Sequence, residues 1–146
     1  MPERGCVLGF DFGLRRIGVA VGDFEVGQSH PLTVIAAGRA DARWKAIGAL
    51  IGEWRPRRLV VGLPLSLEGE AHEMTRRCRR FANQLGGRFR LPVDFLDERL
   101  SSAAAGDVLR ESGLAARKFK ARLDAAAAAI ILQDYLDEAA RRPEPH

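Results

Sequence analysis

Apolar and polar positions alternate between two periods along this chain. Residues Cys6–Phe12 (CVLGFDF) form an apolar, β-prone run interrupted by Gly9 and Asp11. Arg16–Val21 (RIGVAV) is a second such run, and only Gly13-Leu14-Arg15 separates the two. A link that short predicts an antiparallel hairpin. Pro31–Ala36 (PLTVIA) reads as a third strand, after a turn containing Gly22, Asp23 and Gly27. The period then changes. Ile47, Leu50, Ile51 and Trp54 recur at i, i+3, i+4 and i+7, one face of a helix that Pro56 ends. Arg58–Leu63 (RLVVGL) is a short continuous apolar run, as expected of a buried parallel strand.

After the loop from Pro64 to Gly69, a second helical face carries Ala71, Met74, Cys78, Phe81 and Leu85, and Gly86-Gly87 is expected to stop it. Leu91–Leu96 (LPVDFL) predicts another strand, with Pro92 confined to its start or to a sheet edge. Ser101 or Ser102 can cap a helix bearing Ala105, Val108 and Leu109, which ends near Gly113. A basic loop follows. A last helix is expected over roughly 123–140, with its apolar first half buried. The order β-β-β-α-β-α-β-α-α predicts an α/β fold. Its sheet is mixed and five-stranded: three antiparallel N-terminal strands, then two parallel ones, with helices on both faces.

The length of 146 residues fits one domain. Residues 1–140 are assigned to it, and 141–146 to a flexible tail marked by Pro143 and Pro145. No apolar run is long enough to span a bilayer, and the N-terminus does not read as a signal peptide. Two cysteines, Cys6 and Cys78, read as buried free thiols in a reducing, cytoplasmic setting. Charge changes the picture more. Lysine and arginine number 23 against 19 acids, a net charge of +4, and the excess is clustered. Arg76–Arg90 holds six arginines and no acid. Residues 110–122 hold Arg110, Arg117, Lys118, Lys120 and Arg122 against Glu111. Such clusters suit phosphates and favour a nucleic-acid partner, although a solvated helix face has the same composition.

Three acidic positions do not fit a purely structural account. Asp11 lies inside an apolar strand, where an unpaired buried carboxylate costs several kcal/mol. Asp97-Glu98 ends the last strand, and α/β sheets bind ligands at the carboxyl ends of their strands. Asp124 sits one residue into the last helix as read here, where it can simply complement the helix dipole. If all three converge on one spot, they repel unless protonated or bridged by hard cations. Mg²⁺ and Mn²⁺ suit oxygen ligands alike. Two such ions activate a water and stabilise the leaving oxygen of a phosphodiester. His30, His72 and His146 are scattered and match no zinc spacing, and no phosphate-binding P-loop occurs.

At Gly9-Phe-Asp-Phe-Gly-Leu-Arg-Arg-Ile-Gly-Val-Ala20 the chain closely resembles the opening of the YqgF (RuvX-like) family. The likeness continues, in order, through Val60-Val-Gly-Leu-Pro64, Asp97-Glu-Arg-Leu-Ser101, Leu123-Asp-Ala-Ala126 and Ile130-Ile-Leu-Gln-Asp-Tyr-Leu136. The resemblance implies a ribonuclease-H-like fold and a nuclease active in ribosome biogenesis, at the 5′ end of pre-16S ribosomal RNA. Resolution of Holliday junctions is the alternative it carries. The family's acidic triad falls on Asp11, Glu98 and Asp124, which would serve both as catalytic residues and as ligands of the divalent metal. One departure stands in the loop after Pro64. Ser66 and Glu68-Gly69 occupy positions where the family usually has Asn and then Asp-Gly, so that loop's contacts are less defined.

On this reading Arg15, Arg16, Arg117, Lys118 and Lys120 contact the phosphate backbone, and Gly13 lets the chain turn beside Asp11. The partner is nucleic acid, pre-rRNA before branched DNA, with no membrane; a homodimer is compatible with the sequence. Two rivals stand. A binding module would use the basic surface with the acids inert. An actin-like ATPase shares the Asp-x-Gly hairpin, but that architecture needs two domains flanking a cleft, more than this length provides.

Overall fold

The computed structural model describes residues 5–63, 69–97 and 116–141. Five strands form one sheet: β1 (Cys6–Phe12), β2 (Arg16–Asp23), β3 (Ser29–Ala36), β4 (Arg58–Leu63) and β5 (Val93–Asp97). Their order is β3-β2-β1-β4-β5. β1, β2 and β3 pair antiparallel, while β4 runs parallel to β1 and β5 parallel to β4. This is the mixed sheet expected from the hairpin start and the later crossovers. The three described helices are α1 (Ala40–Trp54), α2 (Gly69–Phe89) and α3 (Ala116–Arg141). The expected helix after Ser101 lies outside the described residues.

Strand alternation sends successive side chains to opposite faces of the sheet. Leu8, Phe10, Ile17, Val19, Leu59 and Val61 pack with Trp44 and Ile47 of α1 and with Phe81 and Leu85 of α2. Val7, Ala20 and Val60 pack on the other face with Ala128, Ile131, Leu132 and Leu136 of α3. Helices therefore cover both faces. At the centre of the first layer the Phe81 ring stacks on Trp44 (centroids 5.6 Å apart) and meets Phe10 edge-on at 5.9 Å. Trp54, on the apolar face of α1 by period, is the last residue of that helix and is exposed. Cys78 is buried and Cys6 half-buried. Burial, and after it the charge of Asp23, push the Cys6 thiol up from its ordinary pKa.

Two helix boundaries differ from the sequence reading. Gly86-Gly87 does not stop α2, which continues to Phe89. The Phe89 ring lies 6.3 Å from Trp44, and Arg90 takes the left-handed cap conformation (φ 54°) instead of either glycine. Tertiary contact with Trp44 outweighs the weak helix propensity of the glycine pair. α3 begins at Ala116, not near Leu123, so the segment taken for a basic loop is its first two turns. Ala, Arg, Lys and Leu are all good helix formers, and residues 116–123 contain neither glycine nor proline to oppose them.

Gly52 offers a direct stability test. It is exposed in α1, and a Cβ there would meet nothing within 4 Å. Gly52→Ala is expected to stabilise the protein by about 0.5–1 kcal/mol, since alanine loses less backbone entropy in a helix. A thermal melt should show the midpoint rising by roughly 1–4 °C.

Candidate active site

The hairpin end of the sheet collects charge on the α3 face. On β1, Val7 packs into the α3 layer, and a Cβ on Gly9 would come 3.0 Å from Leu132 Cβ. Asp11, two residues further, shares that face by alternation. Its cross-strand partner is Gly18. Of the strand glycines that face α3, Gly18 has it closest. A Cβ there would lie 1.9 Å from the Asp124 carbonyl oxygen and 2.4 Å from its carbonyl carbon. Asp124 is therefore seated on the residue that pairs with Asp11, and directly paired strand positions are about 4.5–5.5 Å apart between Cα atoms. Two of the three predicted acids thus stand on neighbouring backbone positions.

Arg16 joins them. It precedes Gly18 by two residues and shares its face. Its Nε donates to Asp124 Oδ2 at 3.0 Å, with both side chains partly exposed. A residue assigned to phosphate from sequence thus also holds one of the acids. The tight turn before it depends on Gly13, where a Cβ would approach the Arg16 carbonyl oxygen to 2.6 Å. Close contact is the reason for glycine at that position. Arg15 is exposed at the hairpin tip beside Leu14.

Glu98 lies outside the described residues. It directly follows β5, whose last residue is Asp97. β5 is not adjacent to β1, because β4 runs between them. Two strand spacings, about 9–10 Å, therefore separate β1 from β5, not the single spacing that would make them neighbours. Gly62 sits in the gap. It is paired with Leu96 and stands one position past the Phe10–Val61 pair, level with Asp11. It puts no side chain between the two acidic strand ends. Leu96 packs into the α3 layer, and Glu98 is two positions beyond it in the chain.

Asp124 stands eight residues into α3, past its first two turns. That removes the first-turn dipole explanation for this acid, because the helix field is concentrated in the terminal turn. Positions 117, 118 and 120 belong to the first turns of the same helix. Asp11 and Asp124 offer hard oxygen donors of the kind divalent cations prefer. Among the described residues alone, no group of three His, Cys, Asp or Glu is assembled.

Sequence reading missed Gly18. A signal was available: Gly18, Ala20 and Gly22 form a period-two stripe of small residues on one strand face. A Cβ on Gly22 would come 2.9 Å from Leu136 of α3. The stripe is a bed for a closely packed helix. Arg16→Gln measures how much the ion pair adds to this seat. Because both partners are partly exposed, the expected loss is at most about 1 kcal/mol, seen as a small fall in melting temperature.

The family model described as "RuvX: Holliday junction resolvase" matches residues 5–138. A protein of Methylobacillus flagellatus named "Putative pre-16S rRNA nuclease" is 55% identical over 142 residues, covering 94% of this chain and 97% of its own. A Neisseria gonorrhoeae protein of the same name is 48% identical over 134 residues, covering 92% and 89%. Among solved structures, T. thermophilus RuvC in complex with a Holliday junction substrate is similar with a TM-score of 0.56 at 17% identity, over 94% of this chain and 96% of that one. The fowlpox virus Holliday junction resolvase gives 0.57 at 11% identity, over 91% and 98%. At these identities the structural likenesses establish the ribonuclease-H-like resolvase fold. The family match over nearly the whole chain, with relatives near half identity, goes further: the chain is a member of the RuvX family of resolvase-like nucleases.

Proposed function

We propose that this protein is a divalent-metal-dependent endonuclease that hydrolyses phosphodiester bonds of structured RNA, acting at the 5′ end of pre-16S rRNA in the cytoplasm. The observation that carries the reading is the seating of Asp124 on Gly18, opposite Asp11, at the carboxyl end of β1. Asp11, Asp124 and Glu98 would hold Mg²⁺ or Mn²⁺. When bound, the ions supply the Lewis acidity that activates water and steadies the leaving oxygen.

The chain's own residues have distinct tasks. Asp11 anchors the site from the rigid centre of the sheet. Arg16 orients the Asp124 carboxylate through its Nε bond. Arg15, together with Arg117, Lys118 and Lys120 at the start of α3, would hold the substrate's phosphates, with Arg16 adding positive charge to the same approach. Relatives named for pre-16S rRNA support RNA as the substrate. The family description keeps a four-way DNA junction as the competing substrate.

The test is a cleavage assay with purified protein, a 5′-extended 16S precursor fragment and a four-way DNA junction, each with and without Mg²⁺ or Mn²⁺. Metal-dependent cutting of the RNA at discrete positions is expected. Cutting of the junction alone would transfer the activity to DNA. Absence of cutting on both substrates in both metals would leave the fold as a binding module.

A further inference from the structure

α2 carries a second basic surface that the site on the α3 face does not use. Arg76, Arg77, Arg79 and Arg80 are all exposed on it. Glu73 lies 3.9 Å from Arg76 and 3.4 Å from Arg77, so one carboxylate is shared between two guanidinium groups. Among the described residues, no carboxylate lies within ion-pair distance of Arg79 or Arg80. Residues 73–80 hold four arginines against the single acid Glu73, in a chain whose overall excess is +4. A helix face made only for solubility mixes both signs. This one concentrates one sign, and does so with arginine, whose planar fork suits phosphate oxygens.

A second observation stands beside the charge. Phe95 on β5 is 38% exposed, and the Arg79 guanidinium lies over its ring, 5.6 Å from the centroid. β5 is a terminal strand, so this ring stands at the sheet's outer edge. An exposed aromatic ring beside arginines is the pairing used for single-stranded nucleic acid, where bases stack and phosphates meet arginine. β5 runs directly into Glu98 in the chain, and Phe95 meets Arg79 of α2 on the sheet face opposite α3.

We infer that Arg76, Arg79 and Arg80 of α2, with Phe95 of β5, bind a single-stranded segment of the RNA substrate on the sheet face opposite the active site. The inference rests on the nucleic-acid reading of the site and adds a second contact region to it. Base stacking on Phe95 requires an unpaired strand, which sets the expected ligand apart from a duplex.

The experiment measures binding without cleavage. Full-length protein in metal-free buffer is titrated with a stem-loop RNA bearing a single-stranded tail of about ten nucleotides, and with the same stem-loop without the tail, over a range of salt. For the tailed RNA, Arg79→Gln/Arg80→Gln should lower the slope of log K against log salt by about 1.4, at roughly 0.7 per lost phosphate contact on a single strand. Phe95→Leu should weaken tailed RNA about tenfold through lost stacking. Neither change should alter affinity for the blunt stem-loop. All three side chains are exposed, so melting curves matching the parent's are expected, and Arg80→Gln alone, which does not touch Phe95, should give about half of the slope change. An unchanged slope on tailed RNA, or an equal loss on blunt RNA, overturns the inference. Failure of the parent to bind any RNA would instead overturn the functional reading on which it rests.

Discussion

Gly18→Ala should unseat α3. The added Cβ would fall 1.9 Å from the Asp124 carbonyl oxygen and 3.1 Å from the Ala125 nitrogen. These are backbone atoms, so no side-chain rotation relieves the overlap. The helix must move away from β2, or β2 must leave its register with β1. Overpacking a core typically costs 1–3 kcal/mol, and this contact belongs at or above the upper end, because a rigid helix and a central strand collide. The same movement pulls Asp124 from Asp11 and lengthens the Arg16 bond. Both stability and nuclease activity should therefore fall together. A melt should show the midpoint lowered by at least about 6–8 °C, from the same scaling of free energy to temperature used for Gly52. Gly52→Ala makes the contrast: the same chemical change, in open space, should raise it. A Gly18→Ala protein that melts like the parent would mean that α3 does not sit on this glycine.

The comparison between Gly18 and Asp11 shows what the sequence makes legible. Asp11 announces itself, because a carboxylate in the run CVLGFDF contradicts its surroundings. Hydrophobic period identified every described strand, and turn residues placed the β1–β2 hairpin. The small-residue stripe at Gly18, Ala20 and Gly22 contradicts nothing locally; glycine and alanine fit any strand face until a helix is known to lie there. Two boundaries were misjudged for a related reason. At Gly86-Gly87 the local rule favours a stop, but Phe89 finds Trp44 across the layer and the helix continues. At residues 116–122 the clustered charge suggested a loop, whereas the helix propensity of the same residues was the better guide. Strand order was the remaining gap. Pattern alone does not show that β4 separates β1 from β5, and so does not show that Gly62 stands between the two acidic ends.

Asp11→Asn should separate catalysis from folding. The substitution keeps the side chain's volume and removes its charge. If Asp11 holds divalent metal with Asp124 and Glu98, the variant should lose metal-dependent cleavage down to the level of the parent without metal. Its affinity for RNA in metal-free buffer should stay within about twofold, because phosphate contacts come from arginine and lysine, which the change leaves intact. The stability outcome discriminates further. Asp11 and Asp124 are like charges brought together over Gly18, and Arg16 lies against the second of them, its Nε bonded to the carboxylate. If the like charge of Asp124 dominates at Asp11, neutralising Asp11 relieves repulsion, and the metal-free variant should melt at the parent's temperature or slightly above it. A structural role predicts the reverse. Removing one member of a buried, paired set typically costs about 3–5 kcal/mol, and the variant would melt far below the parent with or without metal. Added Mg²⁺ or Mn²⁺ completes the measurement. It should raise the melting temperature of the parent by binding the folded form, and raise that of Asp11→Asn much less. A variant that cleaves RNA at the parent's rate and responds to metal as the parent does would remove Asp11 from the site.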